Sequence, residues 1–184
     1  FRDAPKFPQT MNLMALLRIA RRVKSSSLKK KIHQMVRLTL DKMASGGMFD
    51  HLEGGFHRYS VDRYWLVPHF EKMLYDNALL SLTYTEAFQV FKEDEYANVV
   101  HETLGYILRQ MTHPQGGFYA AEDADSLVVK TGHKEEGHYY VFSYAELTER
   151  LNPEELESVD RIFGATRQGN FENKNILVLT AGHS

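Results

Sequence analysis

A mainly α fold built from paired helices is predicted by three features of the sequence. Apolar residues recur at helical spacing in four long segments, helix-start residues stand at the head of those segments, and each pair ends in Gly-Gly followed by two large apolar residues. Phe1 to Pro8, with two prolines, reads as extended. Thr10 is placed to cap a first helix carrying Leu13, Leu16, Leu17 and Ala20 on one face. Ser27 is placed to cap a second, with Leu28, Ile32, Met35, Leu38 and Met43 as its face, ending at Ser45-Gly46-Gly47. A third helix is expected from about Pro68 to Phe91, since a proline suits the first helical position, where its missing N–H would have been unpaired anyway. Phe70, Met73, Leu74, Ala78, Leu79, Leu80, Leu82, Ala87 and Phe88 leave that helix apolar around most of its circumference, so it needs cover on more than one side. Asp94 heads a fourth helix with the face Tyr96, Val99, Val100, Thr103, Ile107 and Met111, stopped by His113-Pro114-Gln115-Gly116.

The recurrence of Gly46-Gly47-Met48-Phe49 and Gly116-Gly117-Phe118-Tyr119 makes the two helical hairpins look like a repeat, in either a solenoid or a closed ring. That period is about twice the spacing of common helical solenoids, and the excess lies in the loop after each glycine pair. Beyond them, Gly137 to Phe142 alternates like a strand, Ser143-Tyr144-Ala145-Glu146 has the form of a capping box, and Asn152-Pro153-Glu154-Glu155 starts another helix. Leu156, Val159, Ile162 and Phe163 form its face and Gly164 its stop, before a short strand at Ile176-Leu177-Val178-Leu179.

Composition narrows the function. The 184 residues are 43% hydrophobic and 12% aromatic, enough for one domain with a substantial core. A net charge of -2 lacks the basic excess of a nucleic-acid binder, and the basic runs around Ser25-Ser26-Ser27 read as a solvated turn. With no cysteine, the chain has no disulfide, thiolate metal site or thiol nucleophile, and a cytoplasmic setting is expected. No apolar run reaches the roughly 20 residues of a membrane span, the first residues do not form a signal peptide, and the missing initiator Met suggests a piece of a longer protein. No nucleic acid, membrane or cofactor is expected as partner.

Chemistry concentrates in Gly54 to Ala78, which holds the only Trp and many ionisable groups. His69, in the opening turn of the expected third helix, would feel the positive end of the helix dipole, which favours a neutral imidazole suited to proton abstraction from a sugar carbon. Glu71 is an acid or base partner in the same turn, or ordinary dipole compensation. Lys72 and Asp76 stand at the spacing of a helix ion pair. Tyr59 and Trp65, with Phe56 and Tyr64, offer a platform for a sugar ring, while Arg58 and Arg63 offer cations for hydroxyls or a carboxylate; core packing explains part of the same set. Asp123 and Asp125, if extended, would project to one side about 6–7 Å apart, within the roughly 5–9.5 Å that glycosidase carboxylates need; turn hydrogen bonding is the plainer reading. An EF-hand is excluded because Leu127 and Val128 occupy a ligand and a glycine position. His51 and His57, with Asp50 and Asp62 nearby, match no recognised metal spacing, and no metal is expected.

Ala4-Pro5-Lys6-Phe7-Pro8, Gly54-Gly55-Phe56-His57-Arg58-Tyr59-Ser60, Trp65 to Ala78 (WLVPHFEKMLYDNA) and Gly116 to Ser126 (GGFYAAEDADS) resemble the helical part of the thioredoxin-domain-containing family that includes spermatogenesis-associated protein 20. The resemblance covers nearly the whole chain. It implies an (α/α)6 toroid following a thioredoxin-like domain, similar in fold to the N-acylglucosamine 2-epimerases and six-hairpin glycosidases. The 184 residues would be its first portion, a single domain without the thioredoxin-like partner domain or the later hairpins. On that footing the expected ligand is a sugar-like small molecule. The expected reaction is isomerisation or epimerisation, with His69 as base, Glu71, Asp123 and Asp125 as further acid–base candidates, and Arg58, Tyr59, Trp65 and Asp76 as substrate contacts. Glycoside hydrolysis, or a non-catalytic scaffold for the thioredoxin-like domain, are the alternatives.

Overall fold

The computed structural model describes residues 4–129 and 131–180. The first three residues of the expected extended segment lie outside the described residues; within it, Lys6 bridges Ser60 in an antiparallel contact. Helices α1 (Thr10–Arg22) and α2 (Ser26–Ser45) form one hairpin, and α3 (Leu74–Phe91) and α4 (Asp94–Gln110) the next. Two shorter helices follow, α5 (Tyr144–Arg150) and α6 (Pro153–Phe163). Helix α3 packs on both α1 and α4, which meets its need for cover on two sides. The core between the hairpins is built from Leu13, Leu17, Val36, Leu40, Met43, Leu80, Tyr84 and Tyr96, all buried. Polar tips pin it: the Tyr84 hydroxyl donates to the Leu40 carbonyl at 2.8 Å and the Tyr96 hydroxyl to Asp41 at 2.6 Å.

Several expected boundaries shift, each for a local reason. Thr10 is the first residue of α1 rather than its cap, and Glu93 rather than Asp94 precedes α4. The α2 cap is Ser25, whose hydroxyl accepts from the Leu28 N–H, and not Ser27. The buried face of α2 is Ile32, Val36, Leu40 and Met43, while Leu28, Met35 and Leu38 of the expected face point outward. The capping box expected at Ser143 closes, the helix start expected at Asn152 is closed by a capping box of its own, and Gly164 ends α6 at φ +63.

The largest correction concerns the start of α3, which begins at Leu74. The preceding residues are extended, in β2 (Pro68–His69) and β3 (Lys72–Met73), and burial alternates along them, with Pro68, Phe70 and Lys72 inward and His69 and Glu71 half-exposed. That period of two is a strand's signature. β1 (Tyr59–Ser60) pairs with β2, and β3 with β4 (Ala121–Glu122), both antiparallel, with Tyr59 opposite His69 and Lys72 opposite Glu122. β5 (Asp125–Leu127) pairs with β6 (Lys134–Glu136), and β7 (Val141–Phe142) with β8 (Asn175–Ile176). The two late strands are therefore shorter than expected at both Gly137–Phe142 and Ile176–Leu179. The β3–β4 pair, continued by the Leu74 N–H donating to the Ala120 carbonyl at 3.0 Å, ties the loop after the first hairpin to the loop after the second.

The repeat is real, but its register differs from the one expected. Gly116-Gly117 turns at positive φ inside a small loop closed by the His113 N–H on the Gly117 carbonyl and by a Thr112–Phe118 bridge. Its counterpart is Gly54-Gly55, also at positive φ, closed by the Asp50 N–H on the Gly55 carbonyl and a Phe49–Phe56 bridge. Gly46-Gly47 answers a different constraint. A Cβ on Gly47 would stand 2.0 Å from the Leu66 carbonyl oxygen, and one on Gly46 2.3 Å from that of Trp65, so close backbone approach demands glycine there.

Each long helix keeps an outward apolar stripe: Met11 and Ile19 on α1, Met35 and Leu38 on α2, Tyr75 and Leu82 on α3, Leu104 and Leu108 on α4. Stripes of this kind favour association. The 184-residue chain alone is expected to self-associate in sedimentation at micromolar concentration, and Leu38→Glu with Leu108→Glu to shift it toward monomer; a monodisperse monomer before mutation would refute this.

Candidate active site

The gathered loops enclose a buried polar cluster beside an open cleft. Lys72, delivered inward by the β3 alternation, is 1% exposed, and its Nζ donates to Asp50 Oδ2 at 2.8 Å and to the Gly54 carbonyl at 3.1 Å. The ammonium also lies 4.2 Å from the Tyr106 ring centre and 4.9 Å from that of Tyr140, a cation–π cage. Both tyrosine hydroxyls donate to one carboxylate, Glu122, that of Tyr140 at 3.0 Å. Burial, then Glu122, pushes both phenols well above their ordinary range. Asp50 is anchored in turn by the N–H groups of Leu52 and Glu53 at 3.0 and 3.1 Å. Burial alone would raise its carboxyl; the Lys72 charge and these hydrogen bonds outweigh that, and it stays below the usual carboxylate value. Asn77 fixes the same loop to α3, accepting from the Phe56 N–H at 2.7 Å and donating to the carbonyls of Phe56 and Met73.

His57 lies against this cluster, edge-on to Tyr140 with ring centres 4.7 Å apart, and is 2% exposed. Its Nδ1 is 3.0 Å from the Phe70 carbonyl. A carbonyl cannot donate, so Nδ1 carries the proton and Nε2 is a bare acceptor. Burial, then the Lys72 charge, pushes the imidazole down to about 3, so the ring is neutral. His57 lines a cleft of about 480 Å³ together with Phe70, Tyr139, Tyr140, Glu53 and Arg150. The cleft has the size and mixed polar and aromatic lining of a small-molecule site.

Similarity to known proteins bears on what this site belongs to. No protein-family profile matches the chain. It is 46% identical over 151 residues to spermatogenesis-associated protein 20 of Mus musculus, a match covering 82% of this chain and 19% of that protein. The human protein of the same name is 40% identical over 179 residues, covering 92% of this chain and 23% of the relative. The chain belongs to this family. An uncharacterized protein of Caenorhabditis elegans is 39% identical over 161 residues, covering 86% of this chain and 22% of that one. The chain thus spans about a fifth of the length of the curated relatives it matches. Among solved structures, cellobiose 2-epimerase from Bacillus thermoamylovorans superposes with a TM-score of 0.55 at 16% identity, over 74% of this chain and 36% of that one. Its likeness is one of fold: the helical hairpins are those of an (α/α)6 toroid.

Within this family member, the eight residues singled out from sequence divide into two groups. Five meet in an outer cluster. Tyr59 stacks on His69 with ring centres 5.0 Å apart, as their register in β1–β2 requires. His69 Nδ1 is 2.6 Å from Glu136 and its Nε2 3.7 Å from Glu71, which itself takes Arg58 at 2.7 Å. Asp76 lies beside Arg58 and Glu71, and burial raises its carboxyl to about 6. Because His69 and Glu71 precede α3 in extended backbone, the helix-dipole argument for them does not apply. Lys72 pairs with Asp50, not with Asp76. The other three go elsewhere. Trp65 is 5% exposed in the helical core, held at φ +67 by a loop whose N–H groups converge on Asp62, with Lys6 over its ring at 4.3 Å. Asp123 is exposed, paired to Lys134 at 3.1 Å and turned back onto the Asp125 N–H, both of which hold its carboxyl low. Asp125 is exposed at the start of β5, opposite Glu136. None of the eight lines the 480 Å³ cleft. Among the described residues no three His, Asp or Glu side chains gather as metal ligands, and no helix is long and apolar enough to cross a membrane.

Removing one member of a buried ion pair strands the other, so Lys72→Met is expected to cost about 3–5 kcal/mol in urea unfolding, and Asp50→Asn with Lys72→Met together clearly less. The acid limb of stability carries a second expectation. Unfolded His57 takes a proton below its ordinary 6.5 while the folded ring resists to about 3, so it removes stability as pH falls through that window. Asp76, raised from 3.8 to about 6, acts oppositely: its stabilising contribution is present at low pH and lost as pH rises through about 6. Thermal melts from pH 7 to 3.5 should show His57→Gln flattening the acid limb and Asp76→Asn steepening it.

Proposed function

We propose that the cleft beside His57 binds a sugar-like small molecule and that the protein isomerises or epimerises it. The observation that carries this reading is a neutral histidine of defined tautomer, with its Nε2 lone pair unused, lining a cleft walled by aromatic rings. Nε2 takes a proton from the carbon beside the substrate carbonyl. The C–H electrons form the carbon–carbon double bond of an enediolate, whose oxygen gains the negative charge, and Arg150 at the cleft supplies a compensating cation. Return of the proton to the neighbouring carbon, with the hydroxyl proton passing to the first oxygen, gives the isomer; return to the original carbon after the enediolate has turned its other face to Nε2 gives the epimer. Phe70, Tyr139 and Tyr140 offer faces to the C–H side of a sugar ring. The fold shared with a cellobiose 2-epimerase supports the reaction class.

A second reading places the chemistry in the outer cluster, with His69 as base, Glu71 and Asp76 as acid partners, and Arg58 and Tyr59 as substrate contacts; the Asp76 carboxyl, which burial raises to about 6, favours it. Glycoside hydrolysis by Asp123 and Asp125 has less support, because Asp123 is held in a turn and paired to Lys134. As part of the same proposal, these 184 residues are the first portion of the toroid in a cytoplasmic protein that also carries a thioredoxin-like domain.

The intact protein, incubated with reducing mono- and disaccharides in deuterated water, is expected to exchange the hydrogen beside the carbonyl. His57→Gln should lower that rate by at least about a hundredfold with the melting curve at pH 7 retained, while His69→Asn leaves it within a few-fold. The reverse ranking would move the base to the outer cluster. No exchange or hydrolysis with any sugar would leave a non-catalytic scaffold beside the thioredoxin-like domain.

A further inference from the structure

Lys72 does not itself line the cleft and takes no proton in the proposed reaction, yet it is an ammonium buried at great cost behind two residues that do line it, Asp50 and Tyr140. Tyr140 connects the two: its ring packs against His57 on one contact and against the Lys72 ammonium on another, at 4.7 and 4.9 Å. Phe70 connects them again, since it belongs to the same extended run as Lys72, stands edge-on to the His57 ring at 5.2 Å, and gives its carbonyl to His57 Nδ1. A cation and an imidazole held on one aromatic wall repel as soon as the imidazole gains a proton, and little water intervenes to screen them.

We infer that Lys72, locked by Asp50, is a positioning residue that adds to burial in keeping His57 uncharged, while the Phe70 carbonyl holds its proton on Nδ1 and leaves Nε2 a free base. This rests on His57 being the base of the proposed site, but the protonation state it assigns exists without any substrate. Burial acts first against the charged ring, and the groups facing His57 add to it or offset it. Lys72 opposes the charged ring, Asp50 favours it, the backbone carbonyl of Phe70 favours it, and His69 opposes it; Tyr140 contributes a phenol that stays protonated. Lys72 outweighs Asp50 among the charges, in keeping with its contact on the shared Tyr140 ring. Glu122, which takes the Tyr106 and Tyr140 hydroxyls, holds that wall in place.

The test is the titration of His57, read by ¹⁵N and ¹³C NMR of the imidazole in the intact protein with no ligand. The native protein should show the Nδ1–H tautomer and no protonation of this ring from pH 8 to 5. Lys72→Met should bring the midpoint up by at least about one pH unit, and Lys72→Arg, which keeps the charge, should leave the ring neutral over the same range. Should Lys72→Met fail to fold, Asp50→Asn with Lys72→Met removes the pair as a unit, and the midpoint should still rise because the stronger influence on the ring is lost. An unchanged midpoint in whichever of these variants folds, or a native ring that titrates near its ordinary value, would overturn the inference. Because no sugar enters the measurement, an absence of isomerase activity would leave this result standing, and a failed titration would leave the exchange assay standing.

Discussion

The structure turns on an ammonium placed where water cannot reach it. Lys72 is tolerable in the interior only because Asp50, the Gly54 carbonyl and two aromatic faces surround it together. Those partners come from three places in the chain: the turn after the first hairpin, the last turns of α4, and the stretch before α5. Satisfying one charge therefore fixes two loops and the end of α4 relative to each other. Asp50 in turn organises its own turn through the Leu52 and Glu53 N–H groups, and Glu122 collects the two tyrosines that cage the ammonium. A hydrophobic substitute for Lys72 and Asp50 would pack the same space without specifying which loop meets which.

The helices were legible because their information is local. Periodic apolar residues in α1 and α4, the capping boxes at Ser143 and Asn152, and the stop at Gly164 follow from backbone chemistry that needs no distant partner. The α2 face was misjudged because Met35 and Leu38 are as apolar as Val36 and Leu40, and only the neighbouring helices decide which stripe is covered. Resemblance to a family of helical toroids supplied the arrangement of the hairpins, which periodicity alone could not.

The site was much less legible, and the reason is the misread start of α3. Pro68 suits the first turn of a helix and suits a short edge strand equally well. Had Pro68, Phe70 and Lys72 been read at a period of two, Lys72 would have joined Phe70 on the inner side, and a charge with an apolar neighbour on each flank would have stood out. In the sequence His57 stands out only by its nearness to His51, Asp50 and Asp62; its surroundings depend on a carbonyl and an ammonium that reach it through tertiary contacts. Glu136, which meets His69, and Tyr106 and Tyr140, which meet at Glu122, lie far from their partners in sequence and left no local signal. Tyr59, Arg58, Glu71, His69 and Asp76 were found together because adjacent strands and the turn into α3 keep near neighbours near.

His51 has a place in this arrangement that reaches beyond the 480 Å³ cleft. It also lines a second cleft, of about 600 Å³, on the side of Tyr96 and Phe163, while its Nε2 holds the Gly46 carbonyl at 3.1 Å. Its imidazole and the Phe49 ring are thus a party wall between two chambers, tied to a backbone segment where an added Cβ on Gly46 would stand 2.3 Å from the Trp65 carbonyl oxygen.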